Sequence, residues 1–170
     1  MAPGYVGRST DVDQFDTFTD LLDYPVYVVT ALAEQERAGC LVGFASQCSI
    51  RPPRFTVWLS KVNRTYAVAS RSQVLVVHLL PSRRHDLAEL FGGRTGDDVD
   101  KFAVAEWEAG PYGVPVLTGA LAWFAGRVLD RADWGDHVGF LLEPLDTEAT
   151  SSGSSLTFRD VKDIEAGHPA

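Results

Sequence analysis

The sequence predicts a mainly β protein, an antiparallel β-barrel with flanking helices, on three observations. Short runs of β-branched and aromatic residues recur along the chain, separated by turn-forming stretches. The strands do not alternate with helices in the way a parallel sheet requires, and no Gly-x-Gly-x-x-Gly turn follows a strand. Residues 73–80 (QVLVVHLL) are almost continuously apolar, which over so short a run reads as a strand buried on both faces.

Residues 1–12 read as a mobile lead. Residues 13–22 (DQFDTFTDLL) place Phe15, Phe18, Leu21 and Leu22 at helical spacing with acids toward the start, an amphipathic helix stopped by Tyr24-Pro25. Residues 26–32 (VYVVTAL) form a core strand, 33–38 a charged turn, and 39–44 the antiparallel return. Residues 54–60 (RFTVWLS) alternate well enough for a half-buried strand, after which VNRTYAVASRS starts a helix. His78, inside the apolar run, is expected as a hydrogen-bonded core residue rather than a ligand. Residues 85–91 form a helix ended by Gly92 and Gly93, and 94–100 a polar loop leading to Lys101 and Phe102.

Further along, GPYG (110–113) is a turn and 120–130 a long strand. DWGD (133–136) is a tight turn that puts Gly135 at positive φ, and 137–145 is the last barrel strand. Residues 147–155 read as a flexible Ser-rich connection. The tail that follows packs locally or docks on a partner subunit, and the sequence leaves the two open. Trp58, Trp107, Trp123 and Trp134 follow no repeat and are expected in core and dimer-interface packing.

The chain of 170 residues is expected to be one domain, with 45% hydrophobic and 22% charged residues, an ordinary soluble composition. A net charge of −8 argues against nucleic-acid binding, and the basic Arg83-Arg84-His85 is followed at once by Asp86 and Glu89. No apolar run approaches the ~18 residues of a membrane span. The N-terminus has no signal-peptide pattern, so the expected location is cytoplasmic. Cys40 and Cys48 have no ligand set around them, so no metal is expected, and Cys48 reads as a small buried hydrophobe. A Gly-x-Ser-x-Gly elbow and a Walker loop are both absent.

The chemistry-bearing stretch is residues 39–66, GCLVGFASQCSIRPPRFTVWLSKVNRTY. It reads as a Gly/Ser/Gln/Cys-rich turn, a Pro-Pro stop, a strand, and a polar corner opening onto a helix. Gly39 and Gly43 allow close backbone approach to a ligand. Ser60, Lys61, Asn63, Arg64 and Thr65 at the helix start form an anion site suited to a phosphate.

This stretch resembles the flavin reductase-like family, whose split barrel carries a Gly-x-Thr-Ala-Asn/Ser-Ser-Phe-x-Ser-Val-Ser-Leu-Asp-Pro-Pro segment, a strand, and a Lys-x-Ser-x-Thr-Tyr-like turn. Gly39, Ser49, Ile50, Pro52 and Pro53 take the first pattern, and Lys61, Thr65 and Tyr66 the second. The likeness continues through DLAELFGG (86–93), DKFA (100–103) and PVLTGALAWFAGRVLDRADWGDH (115–137). Leu41, Val42, Gly43, Phe44, Gln47 and Arg51 depart from the pattern.

The resemblance implies an FMN-binding split β-barrel of antiparallel Greek-key type. It also implies an NAD(P)H:flavin oxidoreductase using FMN, or FAD in its place, with NADH or NADPH as co-substrate, and a homodimer. Reduced flavin would pass to a partner monooxygenase. The isoalloxazine would lie against Gly43, Phe44, Ala45, Ser46, Gln47, Cys48 and Ser49, with the phosphate at the Ser60–Thr65 corner. Phe91 and Phe102 are candidate ring contacts or core anchors, and the helix and loop they flank are a lid or a plain surface connection. His137 matches the family's Gly-Asp-His histidine, which positions the nicotinamide beside the flavin. The alternative is a non-catalytic split-barrel protein that binds flavin, deazaflavin or haem.

Overall fold

The computed structural model describes residues 12–150 and 152–167; the expected mobile lead, Val12 apart, lies outside the described residues. Helix α1 (Val12–Thr19) forms where the spacing predicted it, ending sooner. Its apolar face, however, is not buried: Phe15, Phe18, Leu21 and Leu22 all stand exposed.

Strands β1 (Tyr27–Ala33) and β2 (Glu36–Val42) make a hairpin whose turn is only Glu34-Gln35. Both take positive φ, 51° and 74°, the left-handed backbone that matches the twist of the flanking strands. The charged turn expected over 33–38 is therefore mostly strand.

The stretch expected as a polar turn is strand as well: β3 (Ala45–Ser49) pairs antiparallel with β4 (Arg54–Ser60). Then come α2 (Arg64–Ala69), β5 (Val74–Leu79) and α3 (His85–Gly92). A short helix α4 (Lys101–Val104) and strand β6 (Trp107–Ala109), neither foreseen, lead through a 3₁₀ turn to β7 (Pro115–Leu117). Long strands β8 (Ala122–Asp133) and β9 (His137–Ala149) precede α5 (Phe158–Val161).

The main sheet has seven antiparallel strands in the order β2-β1-β5-β8-β9-β4-β3. It curls so that Cys40 and Val42 of β2 share one apolar cluster with Val57 and Leu59 of β4, yet no ladder joins the two strands. The barrel predicted from the short strands is thus present, and it is split along a seam between β2 and β4.

Side chains alternate as a pleated wall requires. Val29, Ala31, Leu75, Val77, Phe140 and Leu142 point into the barrel, closed at one end by Val68 and Ala69 of α2. Val28, Leu87, Phe91, Leu156 and Val161 form a second apolar layer outside it. Strand β5 reads as continuously apolar because Val114 and Val116 cover Val74 and Val76 on the outer face.

His78 is fully buried there. Its Nδ1 donates to the Val28 carbonyl (2.9 Å) and its Nε2 accepts the Leu117 N–H (3.0 Å), which fixes the neutral ring. Burial drives its pKa down to about 4, with the Val28 bond opposing.

Two expectations are corrected. Gly135 is not among the glycines at positive φ, and the turn it occupies is made without that conformation. Strand β9 runs on to Ala149, into the stretch expected as a Ser-rich connection. Beyond it, the Ser82 N–H donates to the Ser154 carbonyl and the Leu156 N–H to that of Leu80. The tail packs locally: Phe158 stacks on Tyr24 at 5.1 Å, and the Arg159 N–H donates to Asp23 Oδ1.

Candidate functional site

The seam is where β2, an edge of the main sheet, faces the Trp58–Ser60 end of β4 with no ladder between them, and a cavity of about 350 Å³ lies along it. Strand β2 contributes Cys40, Leu41 and Val42, and β4 contributes Trp58, Leu59 and Ser60. Gly43 and Phe44, which carry the chain from β2 to β3, line it too. Outer-layer residues close its far side: Phe91 and Gly92 of α3, Arg94 and Thr95 beyond it, and Val161, Lys162 and Ile164 of the tail. His137 stands on the rim at the start of β9.

The walls are largely apolar, and the polar residues on the lining include Ser60, Asn63, Arg94, Thr95 and Lys162, with Arg94 and Lys162 exposed to solvent at its edge. A Cβ on Gly96 would sit 3.2 Å from Arg64 Cδ, so the loop that carries Arg94 and Thr95 lies against the start of α2. Among the described residues neither Arg94 nor Lys162 makes an ion pair. Two cations lining an apolar slot fit a molecule with a flat ring system and an anionic end, and the volume lies within the range of small-ligand pockets.

Of the residues expected from sequence, Gly43, Phe44, Ser60, Asn63, Phe91 and His137 meet at this cavity. The others lie elsewhere. Lys61 Nζ is 2.6 Å from Asp133 Oδ1. Arg64 binds Glu36 and Asp97, each at 3.0 Å, within a network that also joins Arg71 to Glu36 and Glu34. The hydrogen bond from Arg71 holds the Glu36 carboxyl below the usual range despite some burial, with Arg64 adding to the effect.

Thr65 is buried, and its N–H is capped by Asn63 Oδ1 at 2.9 Å. Ser46, Gln47 and Ser49 bond locally along the edge strand: Ser46 to the Gln47 carbonyl, Gln47 to that of Ser49, Ser49 to that of Pro52. Ala45 packs against the barrel core, while Cys48 is exposed, contrary to the buried position expected for it. Gln47 lines a different, apolar hollow at another part of the barrel.

Phe102 anchors the core, between Phe91 (5.8 Å) and Trp107 (5.9 Å). The close approach at Gly39 is not to a ligand: a Cβ there would lie 2.8 Å from Phe91, so the missing side chain lets α3 settle on β2. Lys101, buried, donates Nζ to the carbonyls of Gly39 (3.1 Å) and Phe91 (3.0 Å), fastening α4 to the same junction. Burial lowers its pKa, which is the cost of taking an ammonium out of water.

Arg94, Thr95 and Lys162 were missed by sequence reasoning. The polar loop was recognised, but nothing in its composition separates Arg94 from a solvated arginine. Lys162 lies in a tail whose docking is decided by contacts with residues 21–26 and 80–92.

His137 Nδ1 lies 2.7 Å from Asp136 Oδ1, and its ring is 5.1 Å from Phe44 at a tilt of 56°. The His137 bond holds the Asp136 carboxyl below its usual range. Phe44 is 56% exposed and sits on the rim without filling the cavity. With Nδ1 engaged by Asp136, the remaining ring nitrogen is the atom available to a molecule entering there.

The flavin reductase like domain family matches residues 19–164. The reductase subunit HsaB of a flavin-dependent monooxygenase from Rhodococcus jostii is 36% identical over 134 residues, 76% of this chain and 65% of that protein. The FMN reductase (NADH) RutF of Methylorubrum extorquens is 33% identical over 112 residues, 66% of this chain and 54% of that protein. The chain thus spans between half and two thirds of the length of these relatives. Among solved structures, the NADH:FAD oxidoreductase SgcE6 of Streptomyces globisporus superposes with a TM-score of 0.80 at 21% identity, covering 91% of this chain and 92% of that one. That likeness bears on the fold, and the split barrel is shared. With a family match that spans most of its length, the chain belongs to the flavin reductase-like family.

Proposed function

We propose that this protein is an NAD(P)H:flavin oxidoreductase that holds FMN, or FAD in its place, in the seam cavity and supplies reduced flavin to a partner monooxygenase. The observation that carries the reading is the seam itself, an apolar slot with Arg94 and Lys162 on its lining and no ion pair on either among the described residues. Bound flavin supplies a two-electron acceptor for the hydride of the nicotinamide.

The chain's own residues do the rest. Leu41, Val42, Trp58 and Phe91 exclude water from the ring, and Ser60, Asn63, Thr95, Arg94 and Lys162 offer donors and charge to a phosphate. His137, held by Asp136, orients the nicotinamide at the rim, where hydride transfer requires near contact between the two rings.

The sequence-matched relatives support the activity. HsaB is named as a monooxygenase reductase subunit and RutF as an FMN reductase using NADH. A homodimer is part of the reading, because Phe15, Phe18, Leu21 and Leu22 give α1 and the turn after it an apolar face that no described residue covers. Light scattering of the purified protein at the mass of one chain would remove that part.

A non-catalytic flavin carrier is the second reading. It is favoured by Phe44, whose ring already occupies part of the rim beside His137 where the nicotinamide must enter. Mixing protein with FMN and NADH or NADPH, and following the nicotinamide absorbance band, separates the two. Oxidation dependent on both protein and flavin is expected. A yellow protein that consumes neither nucleotide would establish the carrier, and a protein that takes up no flavin would end both readings.

A further inference from the structure

The β8–β9 turn carries Trp134, whose side chain is 79% exposed, the largest exposed hydrophobic group on the described surface. Exposure of an indole is ordinary at a floppy tip, but this turn is pinned. Lys61 ties it twice, through Nζ to Asp133 Oδ1 (2.6 Å) and through its backbone N–H to the Asp136 carbonyl (2.9 Å). The ring of Trp134 lies 6.3 Å from that of Trp58, at 40°. Trp58 in turn lines the seam cavity and rests flat on β9, where a Cβ on Gly139 would come within 2.8 Å of its Nε1. An aromatic pair therefore leads out of the cavity, Trp58 on its wall and Trp134 outside it on a pinned turn, while Phe44 and His137, in contact with each other, line the same cavity.

NAD(P)H carries two rings. The nicotinamide must reach the flavin inside the slot, so the adenine, joined through the pyrophosphate, stays outside. Resting on the reductase reading above, we propose that Trp134 is a positioning residue that stacks the adenine of the nicotinamide dinucleotide. An indole face accepts any purine, and stacking of a base on an aromatic side chain is lost on truncation to alanine. Lys61, its ammonium paired with Asp133, acts here by holding the turn still.

The test compares NADH with reduced nicotinamide mononucleotide, which lacks the adenosine half. Trp134→Ala is expected to raise KM for NADH about tenfold, leaving KM for the mononucleotide, kcat and the FMN Kd unchanged. Trp134→Phe restores most of the NADH affinity. Equal loss for both nucleotides, a shift in FMN Kd, or no change in either KM overturns the proposal.

ADP-ribose gives a readout that needs no turnover. It is expected to quench wild-type tryptophan fluorescence and to bind Trp134→Ala about tenfold more weakly. Unchanged ADP-ribose affinity, or a Trp134 shielded from a soluble quencher by a second copy of the chain, overturns it. Should the wild type oxidise neither nucleotide, the reductase reading fails, and the ADP-ribose titration still decides the role of Trp134.

Discussion

The closed side of the barrel and its seam treat polar side chains in opposite ways. On the closed side, under β1, β5 and β7, the buried polar side chains of the described residues have partners inside the chain. His78 is bonded at both ring nitrogens, and Thr30 Oγ1 donates to the Pro115 carbonyl at 2.6 Å. At the seam, Arg94 and Lys162 face a cavity with no carboxylate against them among the described residues. Between the two sides lies the Lys61–Arg64–Arg71 corner, rich in cations and fully paired. Groups paired within the chain hold the fold, whereas the exposed, hydrated Arg94 and Lys162 keep their charge available to an anion. Local density of positive charge does not tell the two apart.

The sharpest way to separate the sides is acid. His78 is neutral in the fold with a pKa of about 4, below its unfolded value of roughly 6.5. Its stabilising contribution is therefore whole above the unfolded pKa and is lost as pH falls through the window down to about 4. Up to roughly 3 kcal/mol is at stake over those two and a half units. Urea midpoints taken between neutral pH and pH 4 should show this slope in the wild type, and His78→Gln should flatten it at a lower overall stability. FMN affinity at neutral pH should change less than twofold in that variant. A parallel collapse of affinity would mean the closed side is not independent of the seam.

The converse experiment removes seam charge. Arg94→Ala with Lys162→Ala should weaken FMN binding by roughly 1.5–3 kcal/mol, the range for hydrogen bonds to a charged group, while the urea midpoint stays in place. A fluorescence titration with unchanged Kd would move the phosphate elsewhere. A smaller effect is expected at the rim, where His137→Ala should raise KM for NAD(P)H several-fold and more than the KM for flavin. Equal changes in both would reduce His137 to a strand-start residue satisfied by Asp136.

Smallest of all should be Lys61→Ala and Arg64→Ala, because exposed ion pairs contribute only about 0–1 kcal/mol and their cations are already engaged. FMN affinity in these two variants should fall less than about threefold. A loss of tenfold or more would return the phosphate to the corner where the sequence alone puts it.

Much of the barrel was legible from local pattern. The period-two alternation of residues 54–60, the apolar run at 73–80 and the helix at 85–92 all carry their own signal, because burial on one face or two is written into neighbouring residues. The role of His78 followed from its apolar surroundings. Residues 45–49 were misread as a turn because Ser, Gln and Cys resemble loop composition, whereas an edge strand with solvent on one side tolerates them. Short elements such as α4 and β6 are too brief to show a period.

By itself, then, the sequence determined the strand content, the antiparallel barrel, the family, and the part of the cavity lining contributed by Gly43, Phe44, Ser60, Asn63, Phe91 and His137. Only the tertiary structure decided which cations are neutralised, that Arg94 and Lys162 reach the seam, and that Trp134 extends the aromatic wall begun by Trp58. The reason is physical: a charge is spent or spare according to which distant carboxylate folding brings within about 4 Å, and no window of neighbouring residues contains that distance.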